Sequence, residues 1–391
     1  MSLRPLQIFY FLSFGALGSL FPYFALLLET RGLTPSHVGW AMMIVPVSNA
    51  IIPPLWGVLA DALRARLLLL RVAAIGSAIT VLLMLPSTGF VAIALAIAVF
   101  SFFRAPLISL SDAAGVEALR GRSRSFGHLR VYGSIGFGLF VLALGWFEAS
   151  KHPTLLISTT AGVYLLAAAA TLPLRAPSIV PQRGLAAELR RVLMRPAVLT
   201  FLATTVVYYA GHATYDIFFG LHVSSLGLGD RYVGIGWAIG TTAEIAVLLL
   251  GPRILGVVRA EVLLTACAMV AMGRWIGMAY VVKPSAVLVL QSLHGVTYGL
   301  WYLSLVTFIQ GQADDRTRTT LQSIALSCAG LGAALASVAG GTIFEQHGGF
   351  ALYRVAACMA AVAVCGYGLL AVETRHHRGA NPTEMAVGSR P

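Results

Sequence analysis

Charged side chains make up only 11% of this 391-residue chain, against a hydrophobic share of 58% and a mean hydropathy of +0.83. A soluble domain needs about 25% charged residues to keep its surface wet, so the composition excludes a soluble globular protein. Lysine is nearly absent, with Lys151 and Lys283 the only two. No Gly-x4-Gly-Lys-Ser/Thr loop occurs, which excludes an ATP-binding cassette within the chain. The four cysteines (Cys267, Cys328, Cys358 and Cys365) all fall in apolar stretches, so neither a disulfide framework nor a cysteine-based metal site is expected. No nucleophile–base pair, His-rich helix or phosphate-cradling glycine loop stands out. An enzyme is therefore not expected, and no cofactor or metal is implied.

What the chain has instead is long apolar runs. Stretches near the twenty-residue length of a transmembrane helix fall at about 6–28, 38–60, 67–86, 89–114, 128–147 and 154–173. A second set falls at about 197–221, 232–252, 260–282, 285–309, 319–343 and 349–371. The first run lacks an A-x-A-like cleavage site and reads as a retained span rather than a signal peptide. The expected fold is an all-α membrane protein of twelve transmembrane helices.

The net charge of +12 would suggest nucleic acid in a soluble protein. Here its distribution gives a different answer. With the N-terminus inside, 20 of the 27 basic residues fall on cytoplasmic segments and 5 on the opposite side. That bias predicts both termini in the cytoplasm, a lipid bilayer as partner and no nucleic acid. The basic segment 174–196 divides the spans six and six, giving an N-terminal bundle (1–173), a cytoplasmic linker (174–196), a C-terminal bundle (197–372) and a disordered tail (373–391). An internal repeat supports the division: Gly32-Leu-Thr-Pro-Ser-His-Val-Gly39 matches Gly227-Leu-Gly-Asp-Arg-Tyr-Val-Gly234 at four positions with a shift of 195. Parallel six-span repeats with a solute site between them are a transporter architecture.

Five charged residues, Arg104, Asp112, Asp216, Glu244 and Arg274, lie inside these apolar runs. Each costs about 2.5–3.5 kcal/mol at mid-membrane on insertion scales and survives where it meets a partner, a cavity or a solute. Asp112 and Arg130 stand nine residues to either side of Gly121, so a hairpin turning there brings them to one depth, as an ion pair or as a joint clamp on a polar solute. Arg104 precedes Asp112 by two turns, should face the same way, and suits an anionic group. His212 and Asp216 are four apart and share a helix face, as do His294, Thr297 and Tyr298. Glu244 or Asp216 could hold and release a proton as access alternates, since burial and a facing cation pull a carboxyl's proton affinity in opposite directions. Structural salt bridges are the alternative for each pair. Phe21, Tyr23, Tyr208, Tyr209 and Tyr215 could line a cavity for a ring-bearing solute or serve as interface anchors.

Gly57, Asp61, Arg64 and Arg66 after the second span resemble the signature of the major facilitator superfamily, with Ala62 where a basic residue is usual. The resemblance implies two pseudo-symmetric six-helix bundles and a conformational latch at these four residues. Within the superfamily the chain is similar to the oligosaccharide–proton symporters and the phenylpropionate-permease group. Residues 126–133, 214–218, 241–244, 274–277 and 290–294 carry that likeness. It implies substrate binding by Asp112, Arg130, Phe137 and Glu244, with Glu244 in communication with a proton-coupling cluster that includes Arg274 and His294. It also implies an ion-paired carboxylate at Asp216, which joins the proton-coupling candidates on the physical reading above. The sequence departs from the symporters where Thr297, Gln291, Phe219 and Ala329 replace charged partners and where Phe137 replaces a Trp.

The resulting expectation is a secondary active transporter, a proton symporter for a small polar or anionic organic solute of the sugar, nucleoside or aromatic acid class. It would act as a monomer in the cytoplasmic (inner) membrane of a bacterium. The rivals are a proton-antiport exporter of drugs or metabolites and, in a different class, a membrane receptor or enzyme.

Overall fold

The computed structural model describes residues 3–119, 127–174, 186–314 and 317–380. All regular structure among them is helical. The first group of helices comprises α1 (Arg4–Thr30), α2 (Pro35–Leu63), α3 (Arg66–Val81), α4 (Gly89–Arg104), α5 (Pro106–Leu119), α6 (Gly127–Trp146) and α7 (Pro153–Ala170). The short α8 (Ala186–Leu193) follows, then α9 (Pro196–Ser225), α10 (Asp230–Leu255), α11 (Ala260–Tyr280), α12 (Pro284–Gln291), α13 (Trp301–Gln312) and α14 (Arg318–Ala380). Among the described residues nine segments are long and apolar enough to cross a membrane.

Three irregularities have local causes. Pro106 lacks an N–H, so the α-ladder is interrupted between α4 and α5, although Ala105 keeps helical dihedrals. Between α12 and α13 the chain winds as a π-helix over Gly295–Leu300. The 63 residues of α14 are two helices joined at Gly348, whose φ of 74° is a left-handed conformation that glycine adopts without strain.

One expectation about the ends is corrected. The helix continues past Glu373 to Ala380, so the first part of the tail is ordered. Arg259 donates a 2.8 Å hydrogen bond to the Thr374 hydroxyl and ties this last stretch to the start of α11. Residues 381–391 and the turn at Gly121 lie outside the described residues.

Within the first group α1 packs on α6 and α7, and α3 on α4 and α7; in the second, α9 and α11 pack on α14. Across the groups α2 lies along α14, α6 along α10, and α1 along α9. With lipid as solvent, helix contacts depend on close packing by small residues. A Cβ on Gly18 would stand 2.4 Å from the Phe137 carbonyl oxygen, and one on Gly136 2.0 Å from that of Phe11, so α1 and α6 touch backbone to backbone.

The repeat acquires a structural meaning here. Its first glycines, Gly32 and Gly227, both have positive φ (83° and 77°) and turn the chain into α2 and α10. Its last glycines sit at contacts between the two groups. A Cβ on Gly39 would lie 2.2 Å from the Ser337 carbonyl oxygen of α14, and one on Gly234 2.8 Å from the Val141 carbonyl oxygen of α6. Hydrogen bonds clasp the same end. The Ser36 amide donates to Glu345 Oε2 (2.9 Å), while the Ser150 amide and hydroxyl donate to the two carboxylate oxygens of Asp230 (2.8 Å each). Ser150 and Glu345 are themselves 195 residues apart, so the two clasps are related by the repeat. Between α6 and α7, Lys151 hydrogen-bonds Glu148 at 2.6 Å and holds that carboxyl below its usual range. Toward the opposite end, Leu55, Val58, Leu59 and Leu63 of α2 and Leu249, Leu250 and Ile254 of α10 are exposed.

Candidate functional site

Asp112 and Arg130 meet as the hairpin reading expects, with Arg130 Nη1 3.9 Å from Asp112 Oδ2. Tyr10 of α1 donates a 2.5 Å hydrogen bond to the other carboxylate oxygen. The guanidinium of Arg130 lies over the ring of Phe14, 5.0 Å from its centroid. Both side chains stay partly open, 21% exposed for Arg130 and 32% for Asp112. A long 3.9 Å pair with solvent access has room for a polar group to bridge it.

Arg104 ends α4 and is buried. One of its terminal nitrogens donates to the Asn49 side-chain oxygen on α2, and its guanidinium lies 5.1 Å from the centroid of Phe21. Tyr10, Phe14 and Phe21 share one face of α1, since four and eleven residues bring a helix back to the same side. The expectation that Arg104 and Asp112 face the same way is met in that sense, because both reach this α1 stripe.

The second group holds a tighter polar knot. Arg274 of α11 is fully buried and donates to Gln291 Oε1 (2.7 Å) and the Thr297 hydroxyl (2.9 Å). His294 Nδ1 stands 3.5 Å from the same guanidinium. Arg274 also packs on Tyr215 and Trp275, 4.3 and 4.6 Å from their ring centroids. Gln291 and Thr297 thus occupy the guanidinium's hydrogen-bonding positions with neutral oxygens. The π-helix begins just after His294, and Tyr208 donates a 2.5 Å hydrogen bond to the Thr297 carbonyl within it. Such wide turns disrupt the α-ladder and are frequent at functional sites. His212 Nε2 stands 3.6 Å from Asp216 Oδ1 across one turn of α9.

Glu244 is expected both among the substrate-binding residues with Arg130 and in the cluster with Arg274 and His294; the cation acting on its carboxylate is Arg130, from the other group. Gly299 of the π-helix is packed against it, with a Cβ position 3.3 Å from Glu244 Cγ; it is Gly240, one turn earlier, that touches His294. The reason is axial: four residues keep nearly the same face but climb about 6 Å along the helix, so the two positions fall beside different neighbours. Arg130 in turn lies within electrostatic reach of Tyr298, Tyr302 and Glu244. Phe137 of α6 also meets the second group, its ring centroid 5.5 Å from that of Trp237 on α10.

Trp237 continues into an aromatic wall with Tyr215 (4.8 Å), and Tyr215 with His294 (5.6 Å). His294 stacks on Tyr298 at 5.4 Å and 11°. Sequence reasoning missed Trp237, Trp275, Tyr10 and Asn49. A tryptophan in the interior of an apolar run, away from the interfaces where tryptophan gathers, was the available signal for the first two.

The four latch candidates lie apart from this site. Gly57 has open space where a Cβ would stand. Arg64 takes a left-handed φ of 49° just past α2, and Arg66 opens α3. The side chain of Asp61 lies outside the described residues.

Comparison with known proteins gives a consistent picture. The family model described as "MFS_1 like family" matches residues 3–355. The maltose permease of Geobacillus stearothermophilus is 26% identical over 87% of each chain. The probable 3-phenylpropionic acid transporter of Escherichia coli K12 is 25% identical over 89% of this chain and 92% of its own length. Among solved structures, a mutant form of the nucleoside transporter NupG superposes with a TM-score of 0.84 at 17% identity, covering 94% of this chain and 99% of that one. That last likeness concerns the fold.

Proposed function

The chain belongs to the MFS_1 like family of the major facilitator superfamily, and from that premise we propose a secondary active transporter that moves a small polar or anionic organic solute by alternating access. The observation that carries this reading is the convergence of partly exposed charges from both groups of helices. Asp112 and Arg130 stand on one side, and Glu244, acting electrostatically on Arg130, on the other. A site shared between two bodies is what rocking about a midplane requires.

The reading includes twelve spans. The nine apolar segments become twelve when α14 is divided at Gly348 and when α9 and the α12–α13 rod are added. It takes residues 1–173 and 197–372 as the two bundles, with both termini in the cytoplasm of a bacterial inner membrane and one site per monomer. In that orientation the clasped end is periplasmic and the conformation faces inward.

The solute belongs to the sugar, nucleoside or aromatic acid class suggested by the relatives' names. Stacking by Phe137 and Trp237, hydrogen bonding by Asp112, Arg130 and Glu244, and the aromatic wall suit a ring bearing polar groups. Proton symport is assigned to Asp216 and Glu244, with Arg274 and His294 setting their surroundings. Gly57, Asp61, Arg64 and Arg66 would latch the cytoplasmic ends when the opposite face opens.

The test is counterflow in proteoliposomes with sugars, nucleosides and aromatic acids, with and without a pH gradient. Uptake should be gradient-dependent for one class and lost in Asp112→Asn and Glu244→Gln. Uptake unchanged by those substitutions and by Asp216→Asn would refute the site.

A further inference from the structure

Among Arg104, Arg130 and Arg274, the arginines at the candidate site, Arg104 differs in its surroundings. Arg130 has Asp112 beside it and Glu244 facing it. Arg274 feels Asp216 and is hydrogen-bonded by Gln291 and Thr297. Arg104 is 6% exposed, yet among the described residues no acidic side chain lies within ion-pair distance or acts on it electrostatically; its contacts are the neutral Asn49 amide and the ring of Phe21. Its Nε–H has no hydrogen-bond partner among the described residues, which is equally true of Arg274 Nε, so it is the missing acid that sets Arg104 apart. The hydroxyl of Tyr164, the one group acting on it electrostatically, is also buried and unpartnered. Two buried donors, the Arg104 Nε–H and the Tyr164 hydroxyl, thus lack acceptors among the described residues, and the cation lacks a counterion. Each is costly to bury unless something accepts from it.

Access and depth fit a ligand. Asn49 is exposed and Phe21 partly so, so the guanidinium lies just behind an open face of the helices. Arg104 shares the α1 aromatic stripe with Asp112 and Arg130, through Phe21, Phe14 and Tyr10. A solute bridging Asp112 and Arg130 with one end could extend along this stripe toward Arg104 with the other.

We propose that Arg104, with the Tyr164 hydroxyl, binds a carboxylate carried by the transported solute, and that this subsite selects anionic over neutral solutes. The guanidinium fork matches a planar carboxylate, Asn49 fixes its orientation, and the Phe21 ring stabilises its positive charge. The inference rests on the transporter reading above and narrows its substrate class.

The experiment uses the purified full-length protein, with ligand-induced thermal stabilisation and proteoliposome counterflow as readouts. The probes are matched pairs: 3-phenylpropionate, benzoate and glucuronate, each against its neutral amide, with a neutral disaccharide and a neutral nucleoside alongside. Wild type should bind at least one carboxylate and discriminate against its amide. Arg104→Gln should weaken that carboxylate at least about tenfold and leave amide binding unchanged, collapsing the ratio. Arg104→Lys should restore part of the ratio, because charge returns without the fork. Tyr164→Phe, which removes one hydroxyl, should lower it less.

Equal binding of carboxylate and amide by wild type, or an Arg104→Gln loss that is uniform across all probes, overturns the proposal. Transport of the neutral disaccharide or nucleoside with no carboxylate bound overturns it while the transporter reading stands. Transport of no probe in either class counts against both. Monodispersity and ligand-free melting temperature separate misfolding from these outcomes.

Discussion

Replacing Gly39 by alanine should shift the protein away from the clasped conformation without unfolding it. The added Cβ would sit 2.2 Å from the Ser337 carbonyl oxygen and 3.1 Å from the Gly341 Cα. Both are backbone atoms, so no side-chain rotation relieves the clash, and α2 must retreat from α14 by on the order of 1 Å to reach ordinary contact distance. Overpacking of this kind costs about 1–3 kcal/mol. That cost falls only on the conformer in which α2 and α14 touch at this end, because Gly39 lies between the two groups rather than within one. A differential of about 1–3 kcal/mol is roughly a 5–150-fold change in the ratio of two states.

The assay is a distance distribution between spin labels at Glu29→Cys and Gln346→Cys, both at exposed sites on the clasped end, with the four native cysteines replaced. The clasped population should fall and a longer distance appear, in detergent and in nanodiscs. Gly234→Ala, whose Cβ would stand 2.8 Å from both the Tyr23 hydroxyl and the Val141 carbonyl oxygen, should act in the same direction. An unchanged distribution in a well-folded Gly39→Ala protein would refute the idea that backbone contact holds this end closed.

Asp230→Asn should loosen the same end by about 1–3 kcal/mol, since its side chain would then accept fewer of the Ser150 hydrogen bonds; increased thiol labelling of Ala149→Cys, at the neighbouring buried position, is the readout. Gln291→Leu should lower the melting temperature in detergent by stripping Arg274 of its 2.7 Å acceptor, at roughly 1.5–3 kcal/mol for a lost bond to a charged group. Trp237→Ala should weaken solute binding more than stability, because it removes the aromatic partner of Phe137 across the cleft; a melting shift without a change in binding would contradict this. Glu148 supplies the pH control. Its carboxyl is held below the usual range by Lys151, so any stabilisation is present at neutral pH and lost as pH falls through the depressed value. Because the pair is exposed and screened, Glu148→Gln should leave the melting curve unchanged near pH 7.

Much of the architecture was legible because lipid imposes a simple code. Helix-length apolar segments and the repeat at 195 residues required no knowledge of contacts. The Asp112–Arg130 pairing was legible too, since a symmetric position about a turn fixes relative depth. Glu244 was legible in part: its grouping with Arg130 came from the resemblance, whereas its separation from His294, which packs against Gly240, depends on depth along α10. The roles of Asn49 and Trp237 were equally hidden, as each is defined by a partner more than fifty residues away.

Several of the candidate charged residues lie where the helices are irregular or fall outside the long apolar segments. Of the helices expected to span, α9 and the α12–α13 rod are missing from the long apolar segments, and the α4–α5 rod is interrupted. These three carry Asp216 and His212, His294 and Thr297, and Arg104 and Asp112. The coincidence has a physical basis. Polar side chains that serve a cavity lower the hydropathy of the helix bearing them, and the Pro106 break and the π-turn after His294 free backbone groups that only a protein or water neighbour can satisfy. Tyr208 satisfies one such group, the Thr297 carbonyl. A membrane helix that looks defective as a lipid-facing rod is well suited to line a polar route. In this chain the defects mark part of the proposed route, while Arg130, Glu244 and Arg274 sit on the regular helices α6, α10 and α11.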